Sequence, residues 1–197
     1  SLVDPQNPDH AEIHQQLVDS KQERDARQQR LKRARQVVMS LAAAVFLACA
    51  ISDFKIWKIP NTYVFAASAA YVPYGFLSQM AGWVPAADPL SDLAAAALLF
   101  VIGFAFWALR LFGAGDAKLM FPVGLFVGWP NLLPYALNLV LFAVLAWLIL
   151  KWPLPISLRL TPWGMRISEI RDTGKVPCGV VMVAALFATF VAFRLPG

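Results

Sequence analysis

Long apolar blocks separated by short polar breaks make up most of this chain. Six blocks stand out: Val37–Ile51, Thr62–Met80, Leu90–Leu109, Ala117–Trp129, Leu132–Trp152 and Val176–Phe193. A helix crossing the hydrocarbon of a bilayer needs about 20 residues, with a range of about 17–25. The first and fourth blocks are short on that scale, and the fourth contains Pro122 and Gly124. Short, interrupted helices at membrane depth line a cavity or a protein interface, because lipid cannot satisfy free backbone groups. The pattern predicts an all-α, polytopic integral membrane bundle of about six transmembrane helices, some of them short or interrupted.

Residues 1–36 follow a different pattern and form a polar tail ahead of the membrane-embedded region 37–197. The tail's first half carries Asp4, Asp9, Glu12 and Asp19. Its second half carries Lys21, Arg24, Arg27, Arg30, Lys32, Arg33 and Arg35. Gln and Arg are good helix formers, so residues 21–35 are expected to be helical. That helix either lies on the membrane surface or extends the first span. The tail is not a signal peptide, since its basic region is too long and no small-residue cleavage site follows. A mixed loop from Pro153 to Lys175 carries Arg159, Arg166, Glu169, Arg171 and Asp172, and Trp152 and Trp163 fit an interfacial belt.

Composition strengthens the membrane reading. Of 197 residues, 59% are hydrophobic and only 15% charged, more apolar surface than a soluble domain of this size could hide. The pI near 9.5 raises nucleic acid as a partner. No basic stripe interleaves with aromatics, so nucleic-acid binding is not expected, and the basic residues read instead as markers of membrane sidedness. Cys49 and Cys178 lie in or beside apolar blocks, with no C-x-x-C pair, so they read as small buried residues rather than a zinc or redox site. His10 and His14 share a helical spacing, but in a solvated tail. No metal and no cofactor is expected.

Against this background two acids stand out. Asp53 ends the first block and Asp116 opens the fourth. An acid at a membrane boundary is costly, so it is a functional candidate by default. Two spans separate them, so both lie on the same side of the bilayer. That side also carries Lys55, Lys58, Arg110, Lys118, Lys151, Arg159, Arg166, Arg171 and Lys175, while the opposite loops carry no Lys or Arg. Positive-inside reasoning places the acids at the cytoplasmic face. The tail opposes this, because a fully crossing first span puts its seven basic residues on the other side. Two resolutions are open: the first span is partly re-entrant, or the acidic, polar tail is exported.

Each acid has a plain reading beside the functional one. Asp53 is either a dyad member or a helix-end acid paired with Lys55 or Lys58. Pro60 and Asn61 form the turn that follows; Pro fixes φ and Asn or Thr62 caps the next helix, holding Asp53 at a defined height. Asp116 lies in Gly113-Ala114-Gly115-Asp116-Ala117-Lys118. Its glycines either leave backbone bare for an extended substrate or simply form a turn before an acidic helix start. Two carboxylates facing one pocket are the equipment of an aspartic protease, where they share one proton. Lys118 orients substrate, tunes Asp116, or is only a solvated partner. Trp57, Trp107 and Phe112 read as membrane anchors.

Together these segments carry a resemblance. Asp53 with Lys58-Ile59-Pro60-Asn61, followed after two spans by Gly113-Ala114-Gly115-Asp116-Ala117-Lys118, resembles the prepilin peptidase family of Gly-x-Gly-Asp membrane aspartic proteases. Lys175-Val176-Pro177-Cys178-Gly179-Val180 is similar to the family's K-x-P-Y-G stretch opening the last helix, with Cys178 in place of the usual aromatic. The compact length, without an inserted zinc-cysteine domain or methyltransferase region, is similar to the Tad-type branch. The resemblance implies removal of the leader peptide from prepilins or pseudopilins of the Flp and type IV kind, at the cytoplasmic face of the bacterial inner membrane. It implies no methyltransferase activity. Asp53 and Asp116 would be catalytic, with Gly113, Gly115, Lys118, Pro60 and Asn61 in contact with substrate. Membrane lipid and other pilus assembly components are the further partners expected. Three alternatives stand: another Gly-x-Gly-Asp protease of the preflagellin type, a small transporter or channel using the two acids as ligands, and a noncatalytic assembly factor.

Overall fold

A computed structural model describes residues 8–56, 58–80, 88–111, 113–151 and 177–194, together with residues 161, 165, 168 and 170. Six α-helices occupy them: α1 (Pro8–Ile56), α2 (Asn61–Met80), α3 (Pro89–Ala108), α4 (Ala114–Val127), α5 (Leu132–Lys151) and α6 (Cys178–Arg194). Among the described residues three segments are long and apolar enough to cross a membrane by length and composition: Gln15–Ile56, Pro89–Ala108 and Trp129–Lys151. The bundle is the expected all-α membrane architecture, and helix bounds fall within a few residues of five of the six apolar blocks. The loop cations Arg159, Arg166, Arg171 and Lys175, and the aromatics Trp57, Phe112 and Trp163, lie outside the described residues.

The first block is the exception, because α1 starts far ahead of it. From Pro8 on, the polar tail and the first span form one unbroken helix of 49 residues, about 73 Å at about 1.5 Å per residue. The hydrocarbon is only about 30 Å thick. The described part of the tail therefore extends the first span as one helix. Arg35 is about 27 Å along the helix from Asp53. Its guanidinium meets the Tyr74 hydroxyl at 3.3 Å and lies over that ring at 5.3 Å. Tyr74 stands in the second half of α2, away from the acids. The basic stretch and the acids are thus at opposite ends of the bundle.

α4 is the buried centre. Asp116, Ala117, Leu119, Met120 and every residue from Pro122 to Val127 are buried. Small residues make room for it: a side chain at Gly124 would overlap Ala96, and one at Gly103 would meet Met120 Sδ at 3.0 Å and Ala117 Cα at 3.2 Å. Close approach through small residues is how helices associate where lipid supplies no hydrophobic drive. On the other flank, Phe46 of α1, Tyr71 and Tyr74 of α2 and Phe126 of α4 form an aromatic cluster with centroids 5.4–6.1 Å apart. α5, by contrast, is mostly exposed, as a lipid-facing helix would be.

Two helix ends use left-handed backbone. α3 closes with Leu111 N–H donating to Phe106 C=O and Arg110 N–H to Trp107 C=O, both at 2.9 Å, with Arg110 at φ 61°. This is the Schellman arrangement, with Arg where Gly is usual. α4 closes on Gly128 at φ 68°, and the turn Trp129–Asn131 leads into α5.

Candidate active site

The chain turns sharply between α1 and α2, and local bonds fix that corner. Ser52 Oγ donates to the Lys58 carbonyl at 2.7 Å, and Tyr63 N–H donates to the half-buried Pro60 carbonyl at 3.1 Å. Asp53 is therefore not in a loop. It sits in the last turn of α1, and only 6% of its surface is exposed. A carboxylate at a helix C-terminus faces the unfavourable end of the macrodipole, so it needs donors from elsewhere.

α6 supplies them. Gly179, in the first turn of α6, donates its backbone N–H to Asp53 Oδ2 at 2.9 Å. Pro177 ahead of it accepts from Val180 N–H at 3.2 Å, which starts the helix. Gly179 is buried, and a Cβ there would lie 2.9 Å from Asp53 Oδ2 and 3.1 Å from its Cγ.

Asp116 comes from the first turn of α4 and is 8% exposed. Its Oδ2 accepts the N–H of Gly113 at 3.2 Å, the reach-back bond of a capping box. Asp116 Oδ1 is buried without a hydrogen-bond partner among the described residues. The two carboxylates lie near enough to interact electrostatically, Gly179 N–H is also within reach of Asp116, and Cys178 lies within the field of both. Two acids distant in sequence thus converge on one helix N-terminus.

The remaining expected site residues gather around this pair. Lys118 Nζ donates to Asn61 Oδ1 at 3.2 Å, and both side chains are exposed. Gly113 is exposed, its bare Cα facing Asp116 Oδ2. The open side of Gly115 faces Ile59, where a Cβ would meet Ile59 Cβ at 3.3 Å and Cγ1 at 3.5 Å. Trp107 is exposed at 43%. A cavity lies elsewhere, between α1 and α6, and is lined by Met39, Ala43, Phe46, Leu186 and Phe190. Among the described residues no group of three His, Cys, Asp or Glu gathers to hold a metal ion.

Two residues deserved more weight from the sequence. Gly179 lies in the Pro177-Cys178-Gly179 start of the last block, and a Pro–x–Gly helix opening against an apolar run is a signal for close approach. Asp92 is an acid inside the third block, the same criterion that selected Asp53. It is 6% exposed and accepts a hydrogen bond from Tyr71 at 2.5 Å. It stands at the end of the bundle opposite the acid pair.

The fold and the site define a helical membrane protein with two buried, electrostatically interacting carboxylates at one end. The chain belongs to the type IV leader peptidase family, whose model matches residues 40–151. The protein is therefore a peptidase of the type IV leader peptidase kind. Asp53 and Asp116 both fall inside the matched region; Gly179 and the basic stretch of α1 fall outside it. No curated protein and no solved structure matches the chain.

Proposed function

We propose that this chain is an integral-membrane aspartic endopeptidase that removes leader peptides from Flp or type IV-like prepilins, with Asp53 and Asp116 as its catalytic dyad. The observation that carries the reading is the convergence of both buried carboxylates on the start of α6. The short connections 57–60 and 109–113 leave no place for an inserted domain there, which favours the Tad-type branch.

The chemistry needs one ionised and one protonated carboxyl. The ionised acid takes a proton from water as its oxygen attacks the scissile carbonyl carbon. The protonated acid gives its proton to the carbonyl oxygen, and a neutral gem-diol forms. On collapse the first acid passes its proton to the leaving nitrogen, a diol hydroxyl returns a proton to the second, and the C–N bond breaks. Water and amide become acid and amine, and the dyad is restored. The exposed Lys118–Asn61 pair and the Gly113 backbone border the dyad and would contact the extended segment around the scissile bond. Lys55, Lys58, Arg110, Lys118 and Lys151 at this end favour a cytoplasmic active site.

Co-expression with a prepilin tests this directly. Asp53→Asn and Asp116→Asn should each insert normally and abolish leader removal, each nearly as severely as the double variant, because the acids act as a unit. Substantial processing by either single variant refutes the dyad.

A further inference from the structure

We infer that Gly179 is a positioning residue for the chemical step: its backbone N–H holds the Asp53 carboxylate as the ionised base and leaves Asp116 as the proton-bearing acid. This rests on the dyad proposed above and deepens it by dividing the roles.

The argument begins from asymmetry. Asp53 ends α1, where its own helix disfavours a negative charge. The start of α6 offsets this with the Gly179 N–H at 2.9 Å. Backbone donors aimed at a carboxylate favour the charged form. Asp116 is held differently. One oxygen, Oδ2, accepts from Gly113 at 3.2 Å, and the other, Oδ1, is buried with no partner among the described residues. A bare buried oxygen is costly as half of a carboxylate, but as a hydroxyl it becomes a donor to the neighbouring acid or to a carbonyl brought beside it. Gly179 N–H lies within reach of both acids, but its 2.9 Å bond goes to Asp53, which favours the shared proton on Asp116 Oδ1 with Asp53 ionised.

Glycine is required here by space. A Cβ at position 179 would stand 3.1 Å from both Cβ and Cγ of Asp53 as well as 2.9 Å from Oδ2. All three atoms belong to a short side chain anchored on buried backbone, so the carboxylate or the start of α6 must shift. The helix start lies outside the family-matched segment, so the dyad is completed by an element beyond it.

Two changes at this position separate the N–H from the space around it. A Gly179 amide-to-ester exchange, introduced during translation with an α-hydroxy acid, removes the donor and adds no atom. Gly179→Ala keeps the donor and displaces it. Purified enzyme of each kind is assayed in lipid with a prepilin, and kcat and KM are measured separately. The ester should lower kcat about tenfold or more with KM within about twofold. Gly179→Ala should lower kcat at least as far. An ester enzyme with unchanged kcat, or one that only raises KM, overturns the inference even if Gly179→Ala fails to fold. Asp116→Asn runs alongside: if it is inactive while the ester is fully active, the dyad stands and the role of Gly179 falls. If Asp116→Asn cleaves normally, the dyad itself falls.

Discussion

Ile59, in the corner before α2, fills the space that Gly115 leaves open at the start of α4. The two elements that carry the acids are thereby keyed together beside the site. Gly115→Val should lower membrane abundance and thermal stability, by about 1–3 kcal/mol for an overpacked contact. Adding Ile59→Ala should restore much of the abundance. If cleavage returns with it, Gly115 serves packing. If abundance returns and cleavage does not, the bare backbone at Gly115 is needed by the substrate.

Lys118 and Asn61 make an exposed hydrogen bond, so little stability depends on it. Lys118→Ala should change the unfolding midpoint only slightly, within about 0.5 kcal/mol. A role in holding the prepilin would show as a several-fold rise in KM with kcat maintained. Steady-state kinetics on a prepilin distinguishes that from no role at all.

Tyr71 and Asp92 form a buried pair at the other end of the bundle, where Gly128 also abuts Asp92 Oδ1. Tyr71→Phe removes the donor and strands a buried acceptor, a loss of about 1–3 kcal/mol. The unfolding midpoint should fall while kcat, measured well below it, stays within about twofold. A large loss of kcat in a folded Tyr71→Phe protein would mean that this end communicates with the chemistry.

The unbroken α1 makes a topological prediction. In a background with Cys49 and Cys178 replaced, Lys55→Cys and Lys118→Cys should be shielded from a membrane-impermeant thiol reagent in intact cells. Gln15→Cys and Met80→Cys should be labelled, since both lie toward the opposite end of the helices that they occupy. Labelling at Lys55→Cys or Lys118→Cys would place the acids outside and the basic stretch of α1 within.

Arg110 holds a left-handed conformation at the end of α3, which costs a side-chain-bearing residue about 1–2 kcal/mol. Arg110→Gly should raise the thermal midpoint by part of that amount, measured on the purified protein. The gain is reduced by the extra freedom of glycine in the unfolded chain.

Local chemistry determined much of this protein. Apolar blocks broken by Pro, Gly and charged residues specify helices directly, so α2 begins at Asn61 and ends at Met80 within one residue of the apolar block. The count of spans then brought Asp53 and Asp116 to one side without any packing information. Tertiary structure decided what those helix ends touch. A glycine beside an apolar run reads the same whatever it faces, and only the fold sets Ile59 against Gly115. Likewise nothing local ties Gly179 to Asp53 or Tyr71 to Asp92, because those contacts form only when separate helices dock at a particular depth and rotation. Continuity of α1 through the change from polar to apolar residues was equally undecided, since hydropathy changes there while helix propensity does not. Period and breakers are properties of neighbouring residues; donors, voids and partners belong to surfaces brought together by the fold.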